Sequence, residues 1–209
     1  MNVVSVVALA ATAAVALAYV FHRRTAAVAP QCPKCYVMIH NTCNKRNIGS
    51  ILRTASALGV EEILFVGSKK SCQFFGAQGS QRRMKVTFFH HLPPAVAYLR
   101  SLGCLLCGVE ITSAAKNLRT NPFYGPTCFI LGNEGAGLSG QDRSVCDYFV
   151  YVPQCGDGIA SLNVATAAGM VMYQFGSWAG YGEEARMGEK FTVRLLAPPE
   201  APTAGEESE

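Results

Sequence analysis

The sequence predicts an α/β fold, a mainly parallel sheet with helices on both faces, and three observations predict it. Short, strongly apolar runs of strand length recur through the middle of the chain. They alternate with segments whose apolar residues return every three or four positions, the period of an amphipathic helix. The strand-length runs are apolar on successive positions, as expected of strands buried on both faces, and parallel strands joined by helices are buried in that way. The predicted core spans residues 36–180 of the 209.

Tyr36–Ile39 opens the core as a short strand. Asn47–Leu58 follows as a helix, with Ile48, Ile51, Leu52, Ala55 and Leu58 on one apolar stripe and Gly59 ending it. Ile63–Val66 is a compact buried strand and Met84–Phe89 another. Pro93–Leu102 reads as a helix, because proline is tolerated in a first turn whose N–H groups have no partner, and Gly103 closes it. Cys104–Ile111, Thr127–Leu131 and Phe149–Val152 supply three further strands, with a short helix over Ser139–Cys146 and a longer one from Leu162 to about Trp178. In the last helix Ala165, Ala167, Ala168 and Gly169 form a small-residue face suited to close packing. Residues 181–209 read as an extension ending in an acidic tail rich in Pro, Ala, Gly and Glu.

Residues 1–35 lie outside this fold. Val3–Phe21 is an uncharged apolar run closed by His22-Arg23-Arg24. Roughly 20 apolar residues span a bilayer as a helix. A membrane anchor through residues 3–21 is therefore predicted, with an organellar (mitochondrial) targeting role as the alternative, since the segment lacks acids and carries Arg23 and Arg24. This run inflates the 50% hydrophobic content and the positive mean hydropathy; the remainder reads as globular.

Nine scattered cysteines do not outline a small disulfide scaffold, so reduced thiols are expected. Cys32, Cys35, His40 and Cys43 could supply four zinc ligands, but a strand entering His40 would have to bend to bring them together, and no metal is assigned. Cys104 and Cys107 stand three apart in a strand and so point to opposite faces. The net charge of +4 is modest, but its placement is informative. No Asp or Glu precedes Glu61, while Lys34, Lys45, Arg46 and Arg53 surround one polar segment, giving it a positive field that favours an RNA backbone.

Three separated segments carry the candidate chemistry. The first is Asn44-Lys-Arg-Asn47-Ile-Gly49-Ser-Ile-Leu-Arg53-Thr, the second Ile130-Leu-Gly132-Asn133-Glu134-Gly135-Ala-Gly137-Leu-Ser139, and the third Val152-Pro153-Gln-Cys-Gly156-Asp-Gly158-Ile-Ala-Ser161-Leu-Asn163-Val-Ala-Thr. Each sits at a predicted strand or helix end, where backbone groups are open to a ligand. Taken singly, each has a plain structural reading. Asn47 could cap its helix, Arg53 could be solvated, Glu134 could approach a helix start, and Ser161 could be an N-cap. Glycines in the second and third segments allow close approach to the main chain.

In their order and setting the three segments resemble the motifs of SpoU-type (TrmH-like) RNA 2′-O-ribose methyltransferases of the SPOUT superfamily, over nearly the whole core. The resemblance implies a C-terminal trefoil knot, a homodimer, S-adenosylmethionine as methyl donor without a metal, and structured RNA, tRNA or rRNA, as substrate. It places Arg53, Asn47, Glu134, Ser161 and Asn163 in the catalytic pocket. Leu131, Gly132, Val152 and Leu162 would hold the cofactor. Arg53 is expected to engage the nucleotide and stabilise the developing alkoxide, because a guanidinium is very hard to deprotonate. The competing expectation is a catalytically silent RNA-binding or membrane-tethered assembly protein with the same fold.

Overall fold

A computed structural model describes residues 32–40, 44–67 and 84–192. The apolar run at 3–21, the acidic tail and Cys43 lie outside the described residues. Seven strands form one sheet: β1 (Cys35–His40), β2 (Glu62–Val66), β3 (Lys85–Phe89), β4 (Leu105–Val109), β5 (Lys116–Asn117), β6 (Thr127–Leu131) and β7 (Tyr148–Tyr151). Their order is β3-β2-β1-β6-β4-β7-β5, and every pairing is parallel. All strands therefore present their carboxyl ends to one edge.

Helices cover both faces, as the apolar runs require. Helices α1 (Lys45–Ala57) and α4 (Val164–Ala179) lie on one face, where Ile48, Ile51, Leu52 and Ala55 of α1 and Val171, Met172 and Phe175 of α4 meet Val37, Ile39, Phe65 and Phe129. Helices α2 (Leu92–Ser101) and α3 (Gly140–Val145) lie on the other, with Leu92, Ala95 and Leu99 against Tyr36, Met38, Leu64 and Ile130. Odd and even positions of β1 thus feed different core layers, the two-residue period of a strand made visible. Cys107 and Cys104 fall in opposite layers, as their spacing predicts. Phe175 is fully buried and packs edge-on to Phe123 and Phe129. Burial of such a side chain stabilises by about 1.5–3 kcal/mol.

Helix starts differ from expectation. Helix α1 begins at Lys45, and its cap is Asn44, whose side chain accepts from the Arg46 N–H at 3.0 Å. Helix α4 begins at Val164 and is capped by Asn163, which accepts from Ala165 N at 2.9 Å and Thr166 N at 3.4 Å; Ser161 lies exposed in the preceding loop and does not cap it. In both cases the asparagine nearest the first helical turn wins, because its short amide reaches the second or third N–H without disturbing the backbone. Also unforeseen were strand β5, the 3₁₀ turn Leu118–Thr120, and a hairpin of β8 (Arg186–Met187) and β9 (Lys190–Phe191). Two-residue strands carry too little pattern to be read.

Candidate active site

The three polar segments meet at the carboxyl edge of the sheet, joined by a chain of side-chain hydrogen bonds. Asn47, on the first turn of α1, donates from Nδ2 to Glu134 Oε1 at 2.8 Å. Its Oδ1 accepts from Asn163 Nδ2 at 3.1 Å. One asparagine therefore connects all three segments. Glu134 Oε1 also accepts from the Asn44 backbone N–H at 3.2 Å, which ties the second segment to the cap of α1. Asn47 is buried although polar, and both its donor and its acceptor are used, as a buried amide requires.

Glu134 is held out to Asn47 by a tight hairpin. Strand β6 ends at Leu131, beside Ile39 of β1 and Val109 of β4, and the chain then turns back on itself. Asn133 and Gly137 exchange two backbone hydrogen bonds of 2.9 Å, and Asn133 Oδ1 accepts from Gly135 N and Ala136 N inside the turn. Gly132 must lack a side chain, since a Cβ there would stand 2.6 Å from the Gly137 carbonyl carbon. Gly137 has φ +68°, and a Cβ on it would come within 2.9 Å of the Glu110 carboxylate.

Two clasps hold the exit of that hairpin. Glu110, just past β4, accepts from Leu138 N at 3.0 Å and pairs with Arg143, which in turn donates to Leu138 O at 3.2 Å. Both polar atoms of Leu138 are thereby fixed by opposite charges. On the β1 side, His40 Nδ1 lies 2.6 Å from Asp142 Oδ1, while Asp142 Oδ2 accepts from Ser139 N and Ser139 Oγ in a capping box that starts α3. A carboxylate so enclosed is satisfied on both oxygens.

Next to this chain of bonds lies a cleft between α1 and α4 of about 510 Å³. Asn47, Ser50 and Thr54 form one wall; Asn163, Thr166, Gly169, Met170 and Tyr173 form the other. Its inner end is polar and its outer end carries the exposed Met170 and Tyr173. The structure thus brings together Asn47, Glu134 and Asn163, three of the five predicted catalytic residues. Arg53 is exposed on α1 and is not among the residues of the cleft wall; six residues from Asn47, it lies about 120° around the helix. Ser161 is exposed in the loop from β7 to α4. Of the predicted cofactor residues, Leu131 and Gly132 are buried at the end of β6, while Val152 and Leu162 are half-buried at the two ends of that loop. A Cβ at Gly156 or Gly158 would meet no atom within 4 Å, so these glycines answer no packing demand of the chain. Of the four residues weighed as zinc ligands, Cys35 is buried in the core, His40 is paired with Asp142, and Cys43 lies outside the described residues.

Glu110, Arg143 and Asp142 were missed by sequence reasoning, Asn44 was quoted in the first segment without a role, and His40 was weighed only as a metal ligand. The signal for Asp142 was present, because Ser139 followed three residues later by an acid is a capping box. No local pattern marks Glu110 or Arg143, whose partner lies 33 residues away.

The same architecture recurs in characterised proteins. The SpoU rRNA Methylase family matches residues 34–173. The tRNA (guanosine(18)-2′-O)-methyltransferase of Escherichia coli K12 is 27% identical over 147 residues, covering 69% of this chain and 62% of that protein. The 23S rRNA (guanosine-2′-O-)-methyltransferase RlmB of Acinetobacter baylyi is 27% identical over 133 residues, 61% of this chain and 53% of its own length. The chain thus spans less than two thirds of these relatives. Among solved structures, the SpoU methyltransferase AviRb of Streptomyces viridochromogenes in complex with AdoMet superposes with a TM-score of 0.63 at 26% identity, over 74% of this chain and 64% of that one. The matched span runs from just before β1 well into α4 and includes every segment that meets at the cleft: the chain belongs to the SpoU rRNA Methylase family.

Proposed function

We propose that this protein transfers a methyl group from S-adenosylmethionine to the 2′-hydroxyl of a ribose in structured RNA, tRNA or rRNA, and that it does so as a homodimer. The observation that carries the reading is the Glu134–Asn47–Asn163 chain, which ties the three family motifs into one polar site. Family membership and the names of the relatives supply the reaction class.

The cofactor supplies an activated methyl on a sulfonium. Leu131, Gly132, Val152 and Leu162 are suited to hold it: they combine apolar side chains with loop backbone, and a neutral lining adds no charge beside a sulfonium. The uncrowded Gly156 and Gly158 fit close approach of a ligand to the main chain. Asn47, Glu134, Ser161 and Asn163 orient the ribose. Glu134 already accepts two hydrogen bonds on Oε1, so its role is to fix geometry. Arg53 meets the nucleotide and stabilises negative charge on the hydroxyl oxygen as its proton leaves. Alignment of oxygen and methyl then supplies much of the acceleration.

A second copy of the chain is the occupant proposed for the outer cleft, where Met170 and Tyr173 expose apolar surface between α1 and α4. The trefoil knot belongs to the same reading: the chain leaves β7 and must cross the carboxyl ends of β4 and β6 to bring α4 onto α1 and β1. The apolar run at 3–21 anchors or targets the chain.

Incubation with methyl-labelled S-adenosylmethionine and bulk tRNA or rRNA, followed by mapping of ribose methylation, tests the function. Labelled 2′-O-methyl nucleotides are expected. Cofactor and RNA binding without transfer would establish the catalytically silent alternative, and absence of cofactor binding would overturn the enzyme reading.

A further inference from the structure

Beside the third motif lies an exposed, positively charged shelf that the methyl-transfer chemistry does not use. Strand β5 sits at the sheet edge, paired to the carboxyl end of β7 through Lys116↔Val150 and Asn117↔Tyr151. The 3₁₀ turn and a short link carry the chain on to Tyr124. From Ile111 to Asn133 there is no Asp or Glu, while Lys116 and Arg119 supply two cations. Both are exposed, and so is Tyr124, at 63%, immediately after the buried Phe123.

The shelf is built to be rigid. Leu118 and Phe123 anchor it in the core, and Asn117 accepts from Arg119 N at 3.0 Å. Asn121 takes a left-handed conformation, φ 52°, and its Oδ1 accepts from Gln174 Nε2 of α4 at 2.6 Å. Lys116 Nζ stands 4.8 Å from the centre of the Tyr124 ring and donates to its hydroxyl. Tyr148 meets the same ring edge-on at 5.6 Å. Arg119 reaches the third motif, its Nη2 being 3.5 Å from Cys155 Sγ. A held aromatic ring, a cation beside it and a second cation against the motif loop are the parts of a single-strand nucleic-acid site, in which bases stack on rings and phosphates meet cations.

We infer that Lys116, Arg119 and Tyr124 bind the single-stranded RNA flanking the target nucleotide, with phosphates on Lys116 and Arg119 and a base on Tyr124. This rests on the methyltransferase reading and extends it: Lys45 and Arg46 at the start of α1, and Arg53 about two turns further along it, are the cations of the first motif, and Lys116 and Arg119 add two more beside the third.

The test uses the full chain, calorimetry with S-adenosylmethionine, and fluorescence anisotropy with labelled oligouridylate of about 12 nucleotides, within the span of one such site. Lys116→Ala/Arg119→Ala should leave cofactor affinity unchanged, weaken oligouridylate binding about tenfold, and lower the log–log salt slope by about 1.4, the value for two phosphate contacts to a single strand. Tyr124→Ala should weaken binding about fivefold or more with the slope intact, because stacking is uncharged, and Tyr124→Trp should restore it. The same double variant should raise KM for bulk RNA and spare kcat. Wild-type affinity and slope in the double variant, in a protein that methylates RNA, would overturn the shelf alone. A wild type that binds cofactor but neither binds nor methylates RNA would overturn the methyltransferase reading itself. Loss of binding to phosphatidylserine vesicles without loss of RNA binding would reassign the shelf to a membrane surface.

Discussion

Replacing Asn47 tests whether the three motifs are mechanically one unit. In Asn47→Ala, the donor to Glu134 and the acceptor for Asn163 both vanish. A hydrogen bond to a charged group contributes about 1.5–3 kcal/mol and a neutral one about 1 kcal/mol; because water can enter the open cleft, a net loss of about 2 kcal/mol is expected. Asn47→Asp is more severe and carries a distinct signature. It keeps an acceptor for Asn163 but places a second carboxylate against Glu134, where two charges about 3 Å apart at an effective dielectric near 40 repel by about 3 kcal/mol. One proton shared by the two carboxylates relieves that repulsion, so their folded-state pKa rises above the unfolded value near 4. A raised folded pKa means that the folded state binds the extra proton, and the penalty is therefore present at neutral pH and fades as pH falls toward 4. Urea unfolding at pH 7.5 and pH 4.5 for wild type, Asn47→Ala and Asn47→Asp reads this directly. At about 2–4 °C per kcal/mol for a chain of this size, the aspartate variant should melt roughly 10 °C or more below wild type at neutral pH. If the two variants are equally stable at both pH values, Asn47 does not face Glu134 and the linked site is wrong.

Three further expectations follow from particular contacts. Glu110→Gln keeps an acceptor for Leu138 N but loses the charge opposite Arg143, so cofactor affinity should fall about tenfold while the fold survives, as calorimetry would show; unchanged affinity would detach Glu110 from the cofactor loop. Arg53→Ala should abolish methyl transfer and leave cofactor binding and melting near wild type, and near-normal turnover in that variant would remove Arg53 from the mechanism. Burial raises the Asp147 carboxyl pKa, but hydrogen bonds from Arg100 and the Leu106 N–H outweigh it and hold it below the ordinary carboxylate value. That stabilisation is present above about pH 4 and is lost as pH falls through the depressed folded pKa, so Asp147→Asn should flatten the acid side of the stability profile.

The fold was legible because its strands are buried on both faces. Ile63–Val66 and Thr127–Leu131 are apolar at every position or nearly so, and only a sheet covered on two sides uses such runs. Strand order was not legible. Nothing local in Thr127–Leu131 says that it lies between β1 and β4, since pairing partners are chosen by the whole chain. In the site, Asn47, Glu134 and Asn163 could be picked out by motif, but their mutual bonds span 87 and 116 residues and no spacing rule reaches that far. Helix caps failed for a different reason. Asn44 and Asn47 are equally good caps by type, as are Ser161 and Asn163, and the backbone decides between them.

On the methyltransferase reading, the arrangement of these residues also constrains where the proton of the ribose hydroxyl can go. Neither Asn47 nor Asn163 is a base, and each amide is already committed to its neighbour. Glu134 accepts from Asn44 and Asn47 on Oε1, and protonating its carboxylate would remove the charge that strengthens those two bonds. The polar chain is therefore better suited to hold a ribose than to deprotonate it. Arg53 is exposed on α1, about 120° around the helix from Asn47, and carries a permanent charge. That charge is available, on the methyltransferase reading, to an oxyanion presented by an incoming nucleotide. On the methyltransferase reading, order is supplied by the buried amides and the clasped hairpin, and charge by an arginine that completes the site when RNA arrives.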